Sequence, residues 1–154
     1  MTADTNDRAM VTTRLIPFPR ELVWSAFTDP EHLKLWWGPN GFTNTFFQFD
    51  MRPGGIWKFM MHGPDGVDYP NQIIFEEVVP PERLVYTHSG GEEAPDDHEF
   101  HSTITLEEQD GKTLVTMRME FLTAKAKEIA ATFGAIEGGK QTLGRLEAHV
   151  ATMA

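Results

Sequence analysis

The sequence contains no cysteine. Disulfide bonds, thiolate metal sites and thiol catalysis are therefore excluded. The chain also lacks any run close to the ~20 apolar residues that a membrane-spanning helix needs. Its first ten residues, "MTADTNDRAM", lack the apolar segment of an export signal. We therefore expect a cytoplasmic protein that does not enter a membrane.

Positive charge is scarce, with 13 Lys and Arg against 23 Asp and Glu and a net charge of −10. An anionic surface repels phosphate backbones and acidic headgroups, so neither nucleic acid nor a membrane surface is an expected partner. Phosphate-binding loops, dinucleotide fingerprints, nucleophile elbows and zinc-binding helix motifs are all missing from the sequence. We expect no cofactor, and nothing in the motifs points to an enzyme.

The length and composition indicate one ordinary globular domain. The chain has 154 residues, of which 40% are hydrophobic and 23% charged, and a domain of this length buries a substantial core. We predict a single domain over residues 10–154 and a flexible N-terminus over residues 1–9.

The first third of the chain predicts one strand and two short helices. Residues 10–16 have strand composition and end at Pro17. A helix follows, and Asp29 then caps a second helix with Pro30 at its first position. That helix carries Trp36 and Trp37 in its last turn. We expect Trp37 to point between the helices and the sheet, and Trp36 to pack on the outside of the helix pair.

From residue 43 apolar residues alternate, which predicts six strands in hairpin succession. In the first of these strands the alternation places Phe47 and Phe49 inward and Phe46 outward. A final apolar stripe predicts one terminal helix of about 30 residues, ~45 Å long. The predicted class is α+β, with a curved seven-stranded antiparallel sheet wrapped around a long C-terminal helix.

A twisted sheet of this size leaves a concavity that one helix cannot fill. Large side chains either pack it solid or leave a cavity, and the alternation does not decide between these outcomes. Aromatic rings and methionine suit a pocket for a flexible apolar ligand. The candidate ligand-binding residues are Trp37, Phe47, Phe49, Trp57, Phe59, Met61, Tyr69, Asn71, Phe75, Tyr86, His88, Phe100, Ile104, Met117, Met119 and Phe133.

Polar candidates on the inward registers are Asn71, Tyr86, His88 and Ser102, each able to orient a ligand oxygen. Tyr86 and His88 are weak candidates for proton transfer, because two residues on one side of a strand are a weak signal. His98 and His101 would point to opposite faces of a strand, so no metal site is expected.

Four segments resemble the START-like superfamily, which has the helix-grip fold. They are "FPRELVWSAFTDPEHLKLWWGPNGF", "DMRPGGIWKFMMHGPDGVDYP", "VVPPERLVYT" and "TLGRLEAHVA". The resemblance is greatest to the branch named after the activator of heat-shock-protein-90 ATPase. It covers nearly the whole chain from about residue 10.

The sequence departs from that branch at Gly138 and Gly139, where Gly-Trp is usual. A large ring is missing over the sheet, and two adjacent glycines cost a helix roughly 1 kcal/mol each relative to alanine. Either the helix kinks there and leaves extra room, or a neighbouring ring such as Phe133 takes the vacant place.

The resemblance implies fold more firmly than activity, since this superfamily includes carriers, receptors, cyclases and chaperone regulators. The first hypothesis is binding of a small hydrophobic molecule between sheet and helix, without catalysis, by a monomer or homodimer. The alternatives are a chaperone-regulating interaction domain and a cyclase- or dehydratase-like enzyme that uses Tyr86 and His88.

Overall fold

The computed structural model describes residues 8–89, 99–132 and 134–154. These residues form seven strands and four helices. The strands are β1 (Ala9–Ile16), β2 (Thr43–Phe49), β3 (Ile56–His62), β4 (Asp68–Val79), β5 (Arg83–Ser89), β6 (Phe100–Gln109) and β7 (Lys112–Phe121). The helices are α1 (Arg20–Thr28), α2 (Pro30–Trp36), α3 (Ala124–Thr132) and α4 (Ala135–Met153).

The seven strands form one antiparallel sheet in the order β1-β7-β6-β5-β4-β3-β2. This order follows from the hairpin succession, because each strand from β2 to β7 pairs with the next one along the chain and β1 pairs with β7. The predicted fold class is confirmed. Residues 1–7 of the expected flexible terminus lie outside the described residues, and Ala9 already belongs to β1.

Helix α2 begins with the predicted cap and proline and ends just before Gly38. Pro30 occupies the first turn of α2, and the Asp29 side chain accepts a hydrogen bond from the Glu31 N–H at 3.0 Å. The helix ends at Trp36, after which Gly38 adopts a left-handed conformation with φ of 99°. The chain thereby turns sharply toward β2.

The terminal helix is divided, which corrects the prediction of a single helix of about 30 residues. Gly134, between α3 and α4, has φ of 86°, a conformation that no helix interior contains. Leu143, Leu146 and Val150 of α4 are buried on the sheet, whereas no residue of α3 is buried. The apolar face predicted for one continuous helix is therefore interrupted, and Ile129 and Ile136 are exposed. Gly138 and Gly139 both lie within α4, and the terminal helix is interrupted at Gly134 instead.

The inward face of β2 differs from the prediction. Phe47 is 64% exposed, whereas Phe46 packs against the core beside Trp57, with ring centroids 5.1 Å apart. The β2–β3 register shifts between Phe46 and Gln48, so one extra residue reverses the alternation there. Both Phe46 and Phe49 consequently face inward, and the expectation for Phe47 was wrong.

Trp36 also lies elsewhere than expected. It is 1% exposed, its indole Nε1 donates to the Ala26 carbonyl at 3.0 Å, and its ring packs edge-on against Phe27. The ring joins α1 to α2 from the inside. Trp36 is thus a core residue and does not cover the outside of the helix pair.

Candidate functional site

A cavity of about 410 Å³ lies between the concave face of the sheet and helices α3 and α4. Its lining is mostly apolar, with four polar or titratable side chains among small and large hydrophobic residues. The lining residues are Trp37, Gly38, Pro39, Met61, Tyr86, His88, Phe100, Ser102, Met117, Met119, Ala130, Gly134, Ala135, Gly138, Gly139 and Thr142. The concavity is therefore only partly filled by side chains.

The helical wall of the cavity is made of small residues, which explains why space remains. Ala130, Gly134, Ala135, Gly138 and Gly139 all face it. Gly139 also lies close to β1: a Cβ there would be 3.1 Å from Thr12 Oγ1, whereas one at Gly138 would meet Pro39 Cγ at an ordinary 3.4 Å. None of these residues can project a ring into the space.

Trp37 forms the wall nearest to the short helices. Its ring is 7% exposed and packs edge-on against Trp57, with centroids 5.2 Å apart. The expectation that Trp37 faces the space between helices and sheet is confirmed. The adjacent Trp36 packs edge-on against it, with ring centroids 5.6 Å apart, and extends into the core between α1 and α2.

Arg145 of α4 holds the segment that contains Trp37 in place. Its Nη1 donates to the carbonyls of Gly38 and Pro39 at 2.9 and 2.8 Å and, at 3.4 Å, to that of Trp37. Its Nη2 donates to the carbonyls of Leu35 and Phe42. Burial lowers the pKa of Arg145 below its usual value. The cation serves as a five-carbonyl clamp between α4 and the cavity wall.

Tyr86 and Ser102 form a cross-strand pair on β5 and β6 beneath the cavity. Burial raises the pKa of the Tyr86 hydroxyl, and the nearby Ser102 hydroxyl counters only part of this rise. Tyr86 is therefore an uncharged phenol. Within the described part of the chain, Ser102 Oγ is buried and has no partner that meets hydrogen-bond distance and angle.

His88 is oriented by a short relay of hydrogen bonds. Asn71 Nδ2 donates to the Tyr69 carbonyl at 2.9 Å, which directs Asn71 Oδ1 toward His88. His88 Nε2 then donates to Oδ1 at 2.7 Å. In a neutral imidazole this leaves Nδ1 as the acceptor. His88 also lines the cavity.

Burial lowers the pKa of His88 to about 4. The ring is neutral at physiological pH, and an imidazole whose conjugate acid is this strong is a weak base. Tyr86, with its raised pKa, is a correspondingly weak acid. The pair suits hydrogen bonding to a ligand better than proton transfer.

The structure divides the predicted site residues into groups. Seven line the cavity: Trp37, Met61, Tyr86, His88, Phe100, Met117 and Met119. Five others belong to the packed core beside it: Phe49, Trp57, Phe59, Phe75 and Ile104.

The remaining predicted residues do not line the cavity. Tyr69 is 42% exposed, because it lies near the end of β4 against Phe42. Asn71 acts through His88. Phe47 faces solvent for the reason given above, and Phe133 lies outside the described residues.

Sequence reasoning missed several contributors to the site. Pro39, Ala130, Ala135 and Thr142 line the cavity without any chemical signature. The Gly-Gly pair in place of Gly-Trp was the one available signal for the small-residue wall. No sequence pattern pointed to Arg145, because its partners lie more than 100 residues away in the chain.

Metal-binding and membrane-spanning features are missing from the parts of the chain described above. Within those ranges no cluster of three or more His, Cys, Asp or Glu could hold a metal ion. His101 instead pairs with Glu76 at 2.7 Å, and His98 lies outside those ranges. None of the helices in the same ranges has the length and apolar character to cross a membrane.

Solved structures from three bacteria are similar to this chain over nearly its whole length. A protein from Arthrobacter aurescens is 25% identical, with a TM-score of 0.88 over 97% of this chain and 89% of that one. One from Nitrosomonas europaea is 27% identical, with a TM-score of 0.86 over 96% of each chain. One from Mycobacterium smegmatis is 26% identical, with a TM-score of 0.84 over 94% and 91%.

No curated protein matches the sequence significantly. The family described as activator of Hsp90 ATPase homolog 1-like proteins matches residues 17–151. That range spans the structure from the end of β1 to the last turn of α4 and includes every described residue that lines the cavity. The chain therefore belongs to this family, within the START-like superfamily, and has its helix-grip fold.

Proposed function

We propose that the protein binds a small, largely hydrophobic molecule in the cavity between the sheet and helices α3 and α4, without catalysing a reaction. The observation that carries this proposal is the cavity of about 410 Å³ itself, with its apolar walls. This volume falls within the range of ordinary ligand sites, about 300–1,000 Å³. Exclusion of water from such walls supplies the driving force for an apolar ligand.

The apolar lining supports a ligand because apolar surface that stays in contact with water is unfavourable. The small-residue wall preserves the space where one tryptophan on α4 would reduce it. A bound apolar molecule would displace the water and cover this surface.

A dye-binding experiment tests the proposal. N-phenyl-1-naphthylamine is an uncharged dye that fluoresces in apolar sites, and we expect saturable binding with one dye per chain. Replacing Ala130, on the cavity wall, by Trp should abolish binding by filling the space. Ala148→Trp places the same ring on the exposed side of α4 and should leave binding intact.

Native mass spectrometry of the freshly purified protein provides the complementary readout, since a retained ligand would add a discrete mass. Equal dye binding by the Ala130→Trp and Ala148→Trp variants would place the dye elsewhere on the protein and contradict the proposal. So would the lack of any saturable binding.

A second candidate, regulation of a chaperone, rests on the family description, which names activation of the Hsp90 ATPase. It predicts that the purified protein changes the ATPase rate of Hsp90 and binds it in a pull-down. An unchanged rate at saturating protein would dismiss this candidate. The cavity has no evident part in it, so the two candidates can be tested separately.

A further inference from the structure

The cavity contains polar groups but no charged ones. Among its described lining residues there is no Lys, Arg, Asp or Glu. Arg145 contacts the segment that forms one wall, but its guanidinium donates to the carbonyls of that segment, Gly38 and Pro39 among them. An anionic group inside the cavity would have no cationic partner there and would lose its hydration, which is strongly unfavourable.

Ser102 supplies an unused hydrogen-bonding group. The residue is 1% exposed, and its Oγ forms no hydrogen bond of full distance and angle with a described residue, although the Tyr86 hydroxyl lies near enough to interact with it. A buried hydroxyl without a partner is costly, so such groups are normally satisfied by protein, water or ligand. Because Ser102 lines the cavity, a ligand oxygen is a suitable partner.

His88 adds a hydrogen-bond acceptor, because its bond to Asn71 fixes the tautomer of the ring. Its Nε2–H is committed to Asn71, which leaves the unprotonated Nδ1 as the only acceptor of the ring. Desolvation keeps the ring neutral, so His88 offers no positive charge either. A donor at Ser102 and an acceptor at His88 together complement a hydroxyl, which both accepts and donates. A carboxylate can only accept.

We propose that the cavity selects an uncharged alcohol or phenol, with the hydroxyl of the ligand placed against Ser102 and His88 and its apolar body along the methionine and helical walls. This inference rests on the proposed binding function and narrows it to one ligand class. It further implies rejection of carboxylates that have the same apolar body.

Three probes that share one skeleton test the inference: 4-butylphenol, butylbenzene and 4-butylbenzoate. Their affinities can be measured at neutral pH by displacement of N-phenyl-1-naphthylamine and by calorimetry. We expect 4-butylphenol to bind more tightly than butylbenzene by up to about ten-fold, the contribution of one or two hydrogen bonds. 4-Butylbenzoate should bind at least ten-fold more weakly than the phenol.

The outcomes separate this inference from the binding function. If 4-butylbenzoate binds as tightly as 4-butylphenol, or if butylbenzene has the same affinity as the phenol, the proposed selectivity is wrong. The proposed binding function is unaffected by either result. If neither the dye nor any of the three probes binds, the proposed function itself fails.

Ser102→Ala removes the hydroxyl with little change of shape and should reduce the advantage of the phenol over butylbenzene, while butylbenzene binds as before. Thr103→Ala, on the next residue of β6 and facing the opposite side of the sheet, is the matched control and should keep the wild-type ratio. An unchanged ratio in Ser102→Ala would overturn the role of Ser102. Because the wild-type comparison needs no variant, a poorly folding Ser102→Ala protein does not weaken the test.

Discussion

Arg145 Nη1 donates a hydrogen bond of 2.8 Å to the carbonyl oxygen of Pro39, 106 residues earlier in the chain. The same guanidinium reaches four further carbonyls between Leu35 and Phe42. A planar fork with five N–H donors suits this task, whereas a lysine ammonium has three donors around one point. The wall of the cavity that contains Trp37 is thus tied to α4 chiefly by Arg145, and Gln141 Oε1 adds one further hydrogen bond by accepting from the Asn40 N–H at 3.0 Å.

Replacing Arg145 by Lys should therefore destabilise the protein despite the conserved charge. We expect a loss of about 2 kcal/mol in the free energy of unfolding, since more than one charge-assisted hydrogen bond is lost. Urea denaturation measures this quantity. The control is Arg14→Lys, whose partner Glu147 forms an exposed ion pair, and it should change stability by less than about 1 kcal/mol. Equal losses in the two variants would contradict the clamp.

Acid should destabilise the protein partly through His88. Its pKa is lowered to about 4 in the folded protein, against an ordinary value near 6.5 in the unfolded chain. Between these values the unfolded state binds more protons, so stability is full above pH ~6.5 and falls as the pH drops toward ~4. The shift amounts to about 3 kcal/mol at most. The groups around the ring, namely Asn71, Tyr86, Phe59 and Phe100, carry no charge that would oppose this.

The measurement compares urea denaturation at neutral pH and at a pH near 4.5 for the wild type and His88→Gln. Glutamine can still donate to Asn71 but does not titrate, so this variant should lose less stability on acidification. His149, whose pKa is lowered by burial and by His32, contributes in the same direction in both proteins. An identical pH dependence of the two proteins would show that His88 is already accessible to protons in the native state.

The register shift in β2 predicts unequal effects for two neighbouring phenylalanines. Phe46→Ala should cost about 2 kcal/mol or more, because its ring packs against Phe49 and Trp57. Phe47→Ala should lie within about 0.5 kcal/mol of the wild type, as exposed positions usually do. Thermal and urea denaturation of both variants decide the matter. The reverse order would mean that β2 keeps a regular alternation.

Gly138 offers a way to gain stability. A Cβ there would meet only Pro39 Cγ, at 3.4 Å, an ordinary contact distance. Gly138→Ala should therefore stabilise α4 by about 0.5–1 kcal/mol through helix propensity. At Gly139 the contact with Thr12 Oγ1 is shorter, 3.1 Å, so the same substitution should gain less or destabilise. A loss of stability in Gly138→Ala would show that this turn of α4 cannot accept even one methyl group.

Local patterns were sufficient for most of the element boundaries. Asp29 and Pro30 start α2 through a cap and a fixed φ, and both act within four residues of the chain. The alternation in β3, β5, β6 and β7 correctly placed Met61, Tyr86, His88, Phe100, Met117 and Met119 on the cavity face. Strand periodicity carries this information because successive side chains point to opposite faces.

Periodicity gave wrong predictions where a single residue interrupts it. The shift between Phe46 and Gln48 reverses the inward face of β2 and leaves no mark in the residue types on either side. The left-handed Gly134 separates α3 from α4 even though the apolar spacing runs on through it. Trp36 was expected on the outside of the helix pair, but the packing of α1 on α2 buries it, and its ring contacts that of Trp37, with centroids 5.6 Å apart.

From the sequence alone follow the α+β class, the antiparallel sheet, and the apolar and aromatic character of the concave face, because each depends on local propensity and on the alternation of side chains. The helix-grip family follows from the four segments that resemble it. Only the tertiary structure decided that space remains between the concave face and the helices, and that Ser102 and His88 both line it. It also decided that Arg145 holds the wall. These features depend on the distance between segments that are far apart in the chain, and no local pattern encodes the volume left between a curved sheet and the helices that cover it.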